Sequence, residues 1–77
     1  MDNLEIGGLY KRIRCSTNIC SMNGDLIQIH PDEIVTFVKF IYETKDSEFW
    51  RILTTDGILG DYIRFKTKKI SYWEKLC

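Results

Sequence analysis

The chain has 77 residues, 44% of them hydrophobic and 13% aromatic, and its 11 basic and 11 acidic residues cancel to a formal net charge of zero. This length allows one domain, and the apolar content excludes a disordered chain. The zero net charge excludes a strongly charged chain of the histone or DNA-mimic type, although charges of one sign can still cluster locally.

The number of cysteines and the lengths of the apolar runs indicate the cellular compartment. Cys15, Cys20 and Cys77 make an odd number, which does not suit a disulfide framework. Residues 1–8 have neither the basic start nor the apolar run of a signal peptide. No stretch reaches the roughly 18 apolar residues of a membrane span. The sequence therefore predicts a cytoplasmic protein with reduced thiols and no membrane contact.

Strand patterns begin near the N-terminus. Residues 9–15 form a short run between the turn formers Gly7-Gly8 and Ser16-Thr17-Asn18, which predicts a first strand. Asn23-Gly24-Asp25 is a strong turn signal before an alternating stretch at 27–30. The pattern predicts strands joined by tight turns.

The second half continues this pattern. Residues 34–44 are dense in Ile, Val, Thr, Phe and Tyr with apolar residues on both faces, which indicates a central, long or bent strand. Further strands are predicted at 49–54 and 62–65. The tail is ambiguous, because Ile70, Trp73 and Leu76 recur at helical spacing while residues 70–73 also fit a strand.

These elements predict a single all-β domain over residues 1–77. Five or so short strands with tight turns favour a small closed barrel over residues 9–65, since closure removes exposed sheet edges. Residues 66–77 are then a C-terminal extension, either a short helix or an extra strand.

The middle of the chain, about residues 26–63, resembles the Src-homology-3 (SH3) family. The stretch 26–38 is similar to that family's apolar-x-apolar segment, diverging turn ending in an acidic residue, and apolar strand. Phe49-Trp50-Arg51-Ile52 resembles its paired-aromatic strand. Residues 57–63, Gly-Ile-Leu-Gly-Asp-Tyr-Ile, resemble its Gly-apolar-apolar-Pro-x-Asn-Tyr-Val segment. The resemblance implies a five-stranded SH3-like barrel.

The family's proline-peptide groove is poorly matched. Its tyrosine-rich motif falls on residues 9–15, which hold one tyrosine, Tyr10. Residues 16–23 lack the acids of the family's ligand-pairing loop, and Gly60 replaces the proline of the last motif. The resemblance therefore implies the fold more than the proline-rich ligand, which docks between aromatic ridges.

Four aromatic residues are candidates for contact with a partner, because Trp and Tyr are enriched as anchors at interfaces. The resemblance carries over Tyr62 and one aromatic of the Phe49-Trp50 pair as groove residues. The alternative is that each ring packs in the core or at its rim, which so small a domain needs. The four candidates are Trp50, Tyr62, Tyr10 and Trp73.

Seven of the 11 basic residues fall into two clusters without acids. The first and last strands of a barrel of this type are neighbours, so the clusters would merge into one strip suited to a phosphate backbone and stacked bases. The alternative is two solvated faces whose lysines guard sheet edges. The candidate nucleic-acid-binding residues are Lys11, Arg12, Arg14, Arg64, Lys66, Lys68 and Lys69.

The sequence predicts no cofactor, no metal site and no catalytic centre. Cys15, Cys20 and His30 lack the paired spacing of four zinc ligands. Asp32-Glu33 falls in a predicted surface turn, where neither carboxylate is desolvated enough to act as a general acid. The chain is also short for a pocket that buries a substrate. A small non-enzymatic binding module is expected.

Three functions are open at this point. The first is a protein-protein interaction or inhibitor protein of bacterial or phage type, since the lack of alanine beside 11 isoleucines hints at an AT-rich genome. The second is a nucleic-acid-binding barrel that uses the basic strip. The third is an accessory subunit of a larger assembly. A protein partner is expected first and nucleic acid second, with the oligomeric state open.

Overall fold

The computed structural model describes residues 4–66 and 71–76, and strands make up all of their regular structure. None of these residues forms a helix long and apolar enough to cross a membrane. The seven strands are β1 (Leu9–Arg12), β2 (Thr17–Ser21), β3 (Leu26–Ile29), β4 (Ile34–Glu43), β5 (Ser47–Thr54), β6 (Leu59–Phe65) and β7 (Trp73–Lys75).

The strands form one antiparallel sheet in the order β3-β2-β6-β5-β4-β1-β7. The sheet curls into a half-barrel, so it has a concave inner face and an outer face. Successive side chains of a strand point to opposite faces, which is why Val35 and Phe37 are buried while Thr36 between them is half-buried.

The long strand β4, next to the central strand β5, carries apolar residues on both faces because it is bent. Its pairing with β5 shifts register after Phe37 and again after Phe40. Such bulges add a residue to one strand and increase the local twist. The bends carry β4 around the curled sheet and leave Tyr42 on the outer face, opposite Phe49.

The core lies on the inner face and is mainly aromatic at its centre. Phe37 is fully buried, and its ring meets four others edge-on, at centroid distances of 4.9 Å to Tyr10, 5.5 Å to Trp50, 6.1 Å to Tyr62 and 5.2 Å to Trp73. Edge-to-face contact is a favoured geometry for aromatic pairs. The remaining core members are Ile19, Ile29, Val35 and Ile52.

The all-β prediction is confirmed, but the count of five strands is wrong for this sheet. The structure adds β2, which begins within the residues 16–18 predicted as a turn, while β3 matches the predicted alternating stretch at 27–30. The first strand ends at Arg12 rather than at 15. The described part of the predicted extension contains β7, which pairs with β1 inside the same sheet. β7 joins the sheet because Trp73 belongs to the core, whereas residues 67–70 lie outside the described residues.

Candidate functional site

All four aromatic candidates for partner contact lie in the core. Their exposed fractions are 1% for Tyr10, 6% for Trp50, 6% for Tyr62 and 4% for Trp73. These rings thus show the core packing that the sequence left open as the alternative, and contact of these residues with a partner stays a prediction. The physical reason is size, because a sheet of this length has few large side chains with which to fill its concave face.

Trp50 also has its polar group satisfied within the fold. Its indole Nε1 donates to Glu48 Oε1 at 3.1 Å, and the same oxygen accepts from Arg64 Nη1 at 3.3 Å. Glu48 and Arg64 face each other across β5 and β6. These hydrogen bonds thus pair the polar groups of Trp50, Glu48 and Arg64 with one another at one end of the inner face.

The outer face carries an apolar surface that we call the outer patch: Tyr42, Phe49, Ile63 and Phe65. Phe49 lies opposite Tyr42 on one side and Ile63 on the other, so the patch crosses β4, β5 and β6. The Tyr42 and Phe49 rings stack with centroids 4.3 Å apart and an interplanar angle of 12°. Tyr42, Ile63 and Phe65 are 49%, 42% and 52% exposed.

A shallow groove of about 310 Å³ adjoins the outer patch where the β2–β3 hairpin meets β6. It shares Ile63 and Phe65 with the patch, and Leu26, 74% exposed, stands at its side. The groove and the patch therefore form one continuous surface. The groove is lined by Thr17, Asn18, Ile19, Cys20, Leu26, Asp61, Ile63 and Phe65.

Ion pairs border this apolar surface. Arg51 Nε lies 3.0 Å from Asp61 Oδ1, directly across the strand pair β5–β6. Lys66 pairs with Glu43 at the end of the patch near Phe65. An apolar centre with a polar border is the usual anatomy of a protein-protein interface.

The two basic clusters do not form one strip by strand adjacency. β1 lies between β4 and β7, whereas β6, which carries Arg64, lies between β2 and β5. The first and last strands are neighbours as expected, but the last strand is β7, and its Glu74 lies opposite Lys11. Strand adjacency therefore does not join the described residues of the two clusters. Lys68 and Lys69 lie outside the described residues.

The described members of those clusters have partners within the chain. Lys11 Nζ lies 3.2 Å from Glu74 Oε1, and Arg64 and Lys66 pair with Glu48 and Glu43. Arg14 donates to the Ser71 carbonyl. These pairings lower the local positive charge that a nucleic acid would meet, and binding of nucleic acid stays a prediction.

Arg12 is the exception among the clusters because it is buried, with 4% of its surface exposed. Its Nε donates to the Cys15 carbonyl at 2.7 Å, and Nη1 donates to Tyr62 Oη at 3.4 Å. The guanidinium carbon lies 5.0 Å from the ring centres of both Tyr72 and Trp73. Arg12, a candidate for nucleic-acid binding, thus forms one cluster with Tyr62 and Trp73, which were candidates for partner contact.

Two features of this cluster are costly in a buried environment. No carboxylate of residues 4–66 or 71–76 lies within ion-pair distance of Arg12, so its charge is offset by the aromatic rings and neutral acceptors. Trp73 Nε1 is buried and has no acceptor among the residues that the structure describes. A buried donor without a partner loses its hydration and gains nothing in return.

The sequence missed the outer patch. The four patch residues lie beside buried residues, on strands that carry apolar side chains on both faces. The alternation of apolar and polar residues therefore did not show which side chains point outward. The available signal was that Tyr42, Phe49 and Ile63 align across three strands, and this depends on the register of the bent strand β4.

No cluster of three or more His, Cys, Asp or Glu side chains that could hold a metal ion occurs within the described ranges. Cys15 and Cys20 are exposed free thiols. Comparison of the chain with protein families, with curated proteins and with solved structures gives no match. Function has to be inferred from the geometry of the chain itself.

Proposed function

We propose that the chain is a small non-enzymatic module that binds a protein partner through the outer patch and the adjoining groove. The observation that carries this proposal is the stacked Tyr42–Phe49 pair beside exposed Ile63 and Phe65 on the neighbouring strand. A contiguous exposed apolar surface with a polar border marks interaction sites on soluble domains. Aromatic side chains also dominate the energy of such contacts.

The shape of this surface favours a protein over a small molecule. The patch spreads across three strands, and the groove beside it is open and shallow. Small-molecule sites bury most of their ligand in a concave pocket. An exposed apolar surface that extends over three strands is instead complementary to another protein surface, where side chains of both partners leave water together.

We also infer that the half-barrel is a variant of the SH3-like barrel. Without the β2–β3 hairpin, five strands remain, and the first and last of them, β1 and β7, are paired. That pairing supports the resemblance. The usual proline-rich ligand is not part of the proposal, because Tyr62 and Trp50 are buried.

The binding proposal is tested by capture from the native host, followed by measurement with the purified partner. The patch variant carries Ile63→Thr and Phe65→Thr. The matched control is Leu53→Thr, which changes an exposed outer-face residue of β5 that is outside the patch and 37% exposed. Each bait is used at low and high salt, with and without nuclease.

A partner that is retained by wild type and control, lost with the patch variant and insensitive to nuclease is expected. Its affinity by calorimetry should fall at least roughly tenfold in the patch variant, as for loss of an interface anchor. Unchanged affinity in the patch variant would exclude the outer patch. Capture that disappears with nuclease or with salt would favour a nucleic-acid ligand instead.

A further inference from the structure

We propose that Arg12 and Trp73 form a binding site for an oxoanion, either a carboxylate or a phosphate group, on the inner side of the sheet. This site is separate from the proposed function, because the outer patch lies on the opposite face. It rests on two independent observations within residues 4–66 and 71–76: a buried cation without a carboxylate, and a buried indole donor without an acceptor.

The charge of Arg12 defines the class of ligand. A guanidinium stays protonated at any physiological pH. Removing it from water costs several kcal/mol in typical proteins unless an opposite charge and hydrogen bonds compensate. The five ion pairs of the described chain all involve other cations. An anion at this position would supply the missing counter-charge.

The hydrogen-bond inventory leaves room for such an anion. A guanidinium has five N–H donors in a planar fork that matches an oxoanion. Nε and Nη1 each have one oxygen acceptor, the Cys15 carbonyl and Tyr62 Oη. Nη2 has only a long contact of 3.7 Å to Cys15 Sγ, a weak acceptor. Donors on the Nη1–Nη2 edge are therefore available.

The same edge lies near the surface. Cys15, whose sulfur contacts Nη2, is exposed, and Tyr72 over the guanidinium is half-buried. The exposed side of this edge, at Cys15, is the route by which an oxoanion would approach Nη2. The Trp73 ring centre is 5.0 Å from the guanidinium carbon, so the indole whose N–H has no acceptor among the described residues lies directly beside the cation.

The two tryptophans provide a direct probe, because the chain has no others. The indole N–H of Trp50 already donates to Glu48 and serves as an internal control. The indole N–H of Trp73 reports on the proposed site. Both proton signals are followed by ¹H–¹⁵N NMR in the full chain during titration with sodium acetate, sodium phosphate or sodium chloride at matched ionic strength.

A saturable downfield shift of the Trp73 indole proton with acetate or phosphate is expected, with the Trp50 signal and the chloride series unchanged. Acetate alone would assign a carboxylate, and phosphate alone would assign a phosphate group. No saturable shift with either anion, or equal shifts of both tryptophans, overturns the proposal. This decision uses the wild-type chain and does not depend on any variant folding.

A pair of variants then assigns the cation. Arg12→Met removes the buried charge, and Lys11→Met removes a neighbouring charge on the outer face that pairs with Glu74. Anion affinity should fall roughly tenfold or more in Arg12→Met, as expected for loss of a charge-assisted hydrogen bond, and stay at the wild-type value in Lys11→Met. Equal loss in both variants would indicate general electrostatic attraction and contradict the assignment to Arg12.

Discussion

The guanidinium carbon of Arg12 lies 5.0 Å from the centre of the Trp73 ring, and both side chains are more than nine-tenths buried. The first and last strands along the chain, β1 and β7, are paired, and this pairing places a cation and an indole against each other at one end of the core. A buried charge without a carboxylate is an inefficient way to stabilise a fold.

Arg12→Met is therefore expected to leave the fold as stable as wild type. Methionine keeps the length of the side chain and its contact with the aromatic rings, while the cost of desolvating the charge disappears. The free energy of unfolding from urea denaturation should lie within about 1 kcal/mol of wild type, or above it.

Arg12→Ala is the comparison, because it also removes the charge but leaves a cavity. It should lose about 2–4 kcal/mol, in the range of other large-to-alanine core changes. If Arg12→Met loses as much as Arg12→Ala, the charge itself stabilises the fold, and the inference that the site lacks a counter-ion is wrong.

Phe37→Leu should be one of the most damaging single changes in the chain. Leucine keeps an apolar side chain of lower volume, but it loses edge-on contacts with Tyr10, Trp50, Tyr62 and Trp73. At roughly 0.5–1.5 kcal/mol for each aromatic pair and with incomplete repacking, a loss of about 2–4 kcal/mol is expected.

The matched control is Phe40→Leu on the same strand. Phe40 is half-buried and has one ring contact with Trp50, at a centroid distance of 5.0 Å. Its loss in the same urea measurement should be less than half that of Phe37→Leu. Similar losses would show that burial area alone, rather than the number of ring contacts, determines stability here.

Much of the fold was readable from residue patterns. The turn at Asn23-Gly24, the dense β segment at 34–44 and the all-β class follow from turn chemistry and β propensity, and the structure has strands there. Strand β2 was not predicted, and the tail that contains β7 was left open between a helix and a strand. Both depend on contacts between segments distant in sequence, about which local patterns carry no information.

The candidate site was predicted less well for a related reason. Arg12 on a short strand with Lys11 and Arg14 has the sequence pattern of a solvated face, and only the strand pairing shows that it points into the core. Trp50, Tyr62 and Trp73 were predicted as candidates for partner contact, and the side of the sheet on which they lie depends on register. A shift of one residue in register would have placed Phe49 and Ile63 on the inner face, and Trp50 and Tyr62 on the outer face.

Gly60→Ala should destabilise the junction between β6 and β2. Gly60 is buried opposite Ser21, and an added Cβ would lie 2.9 Å from the Cys20 carbonyl oxygen and 2.9 Å from Ile19 Cδ1. Part of that clash is with backbone and cannot be relieved by a rotamer change. A loss of about 1–3 kcal/mol in the free energy of unfolding is expected, as for overpacked cores.

A double-mutant cycle separates the two contacts. Ile19→Val removes the Cδ1 methyl, so Gly60→Ala should cost less in that background than in wild type, with the remainder due to the Cys20 carbonyl. If the losses in the free energy of unfolding are additive, the Ile19 side chain can move aside without cost. The contact with the Cys20 carbonyl then accounts for the whole effect of Gly60→Ala. Absence of any loss from Gly60→Ala would contradict the close approach of the two strands.

The pair formed by Lys75 and Glu5 predicts a small pH dependence at the alkaline end. Lys75 Nζ donates to Glu5 Oε2 at 2.6 Å, and this hydrogen bond raises the pKa of Lys75 above its ordinary value of 10.5. Because folding raises the pKa of Lys75, the stabilisation from this pair is fully present below pH 10.5. It is lost as the pH rises through the higher folded-state value.

Glu5→Gln removes the carboxylate, so wild type should exceed the variant in stability at neutral pH, by a small amount because the pair is exposed. That excess should shrink at pH values above 10.5 and also at high salt. Urea midpoints of both proteins across this range provide the measurement. In a Lys75→Met background, Glu5→Gln should show no such alkaline change, and a difference that persists there would assign the effect to another group.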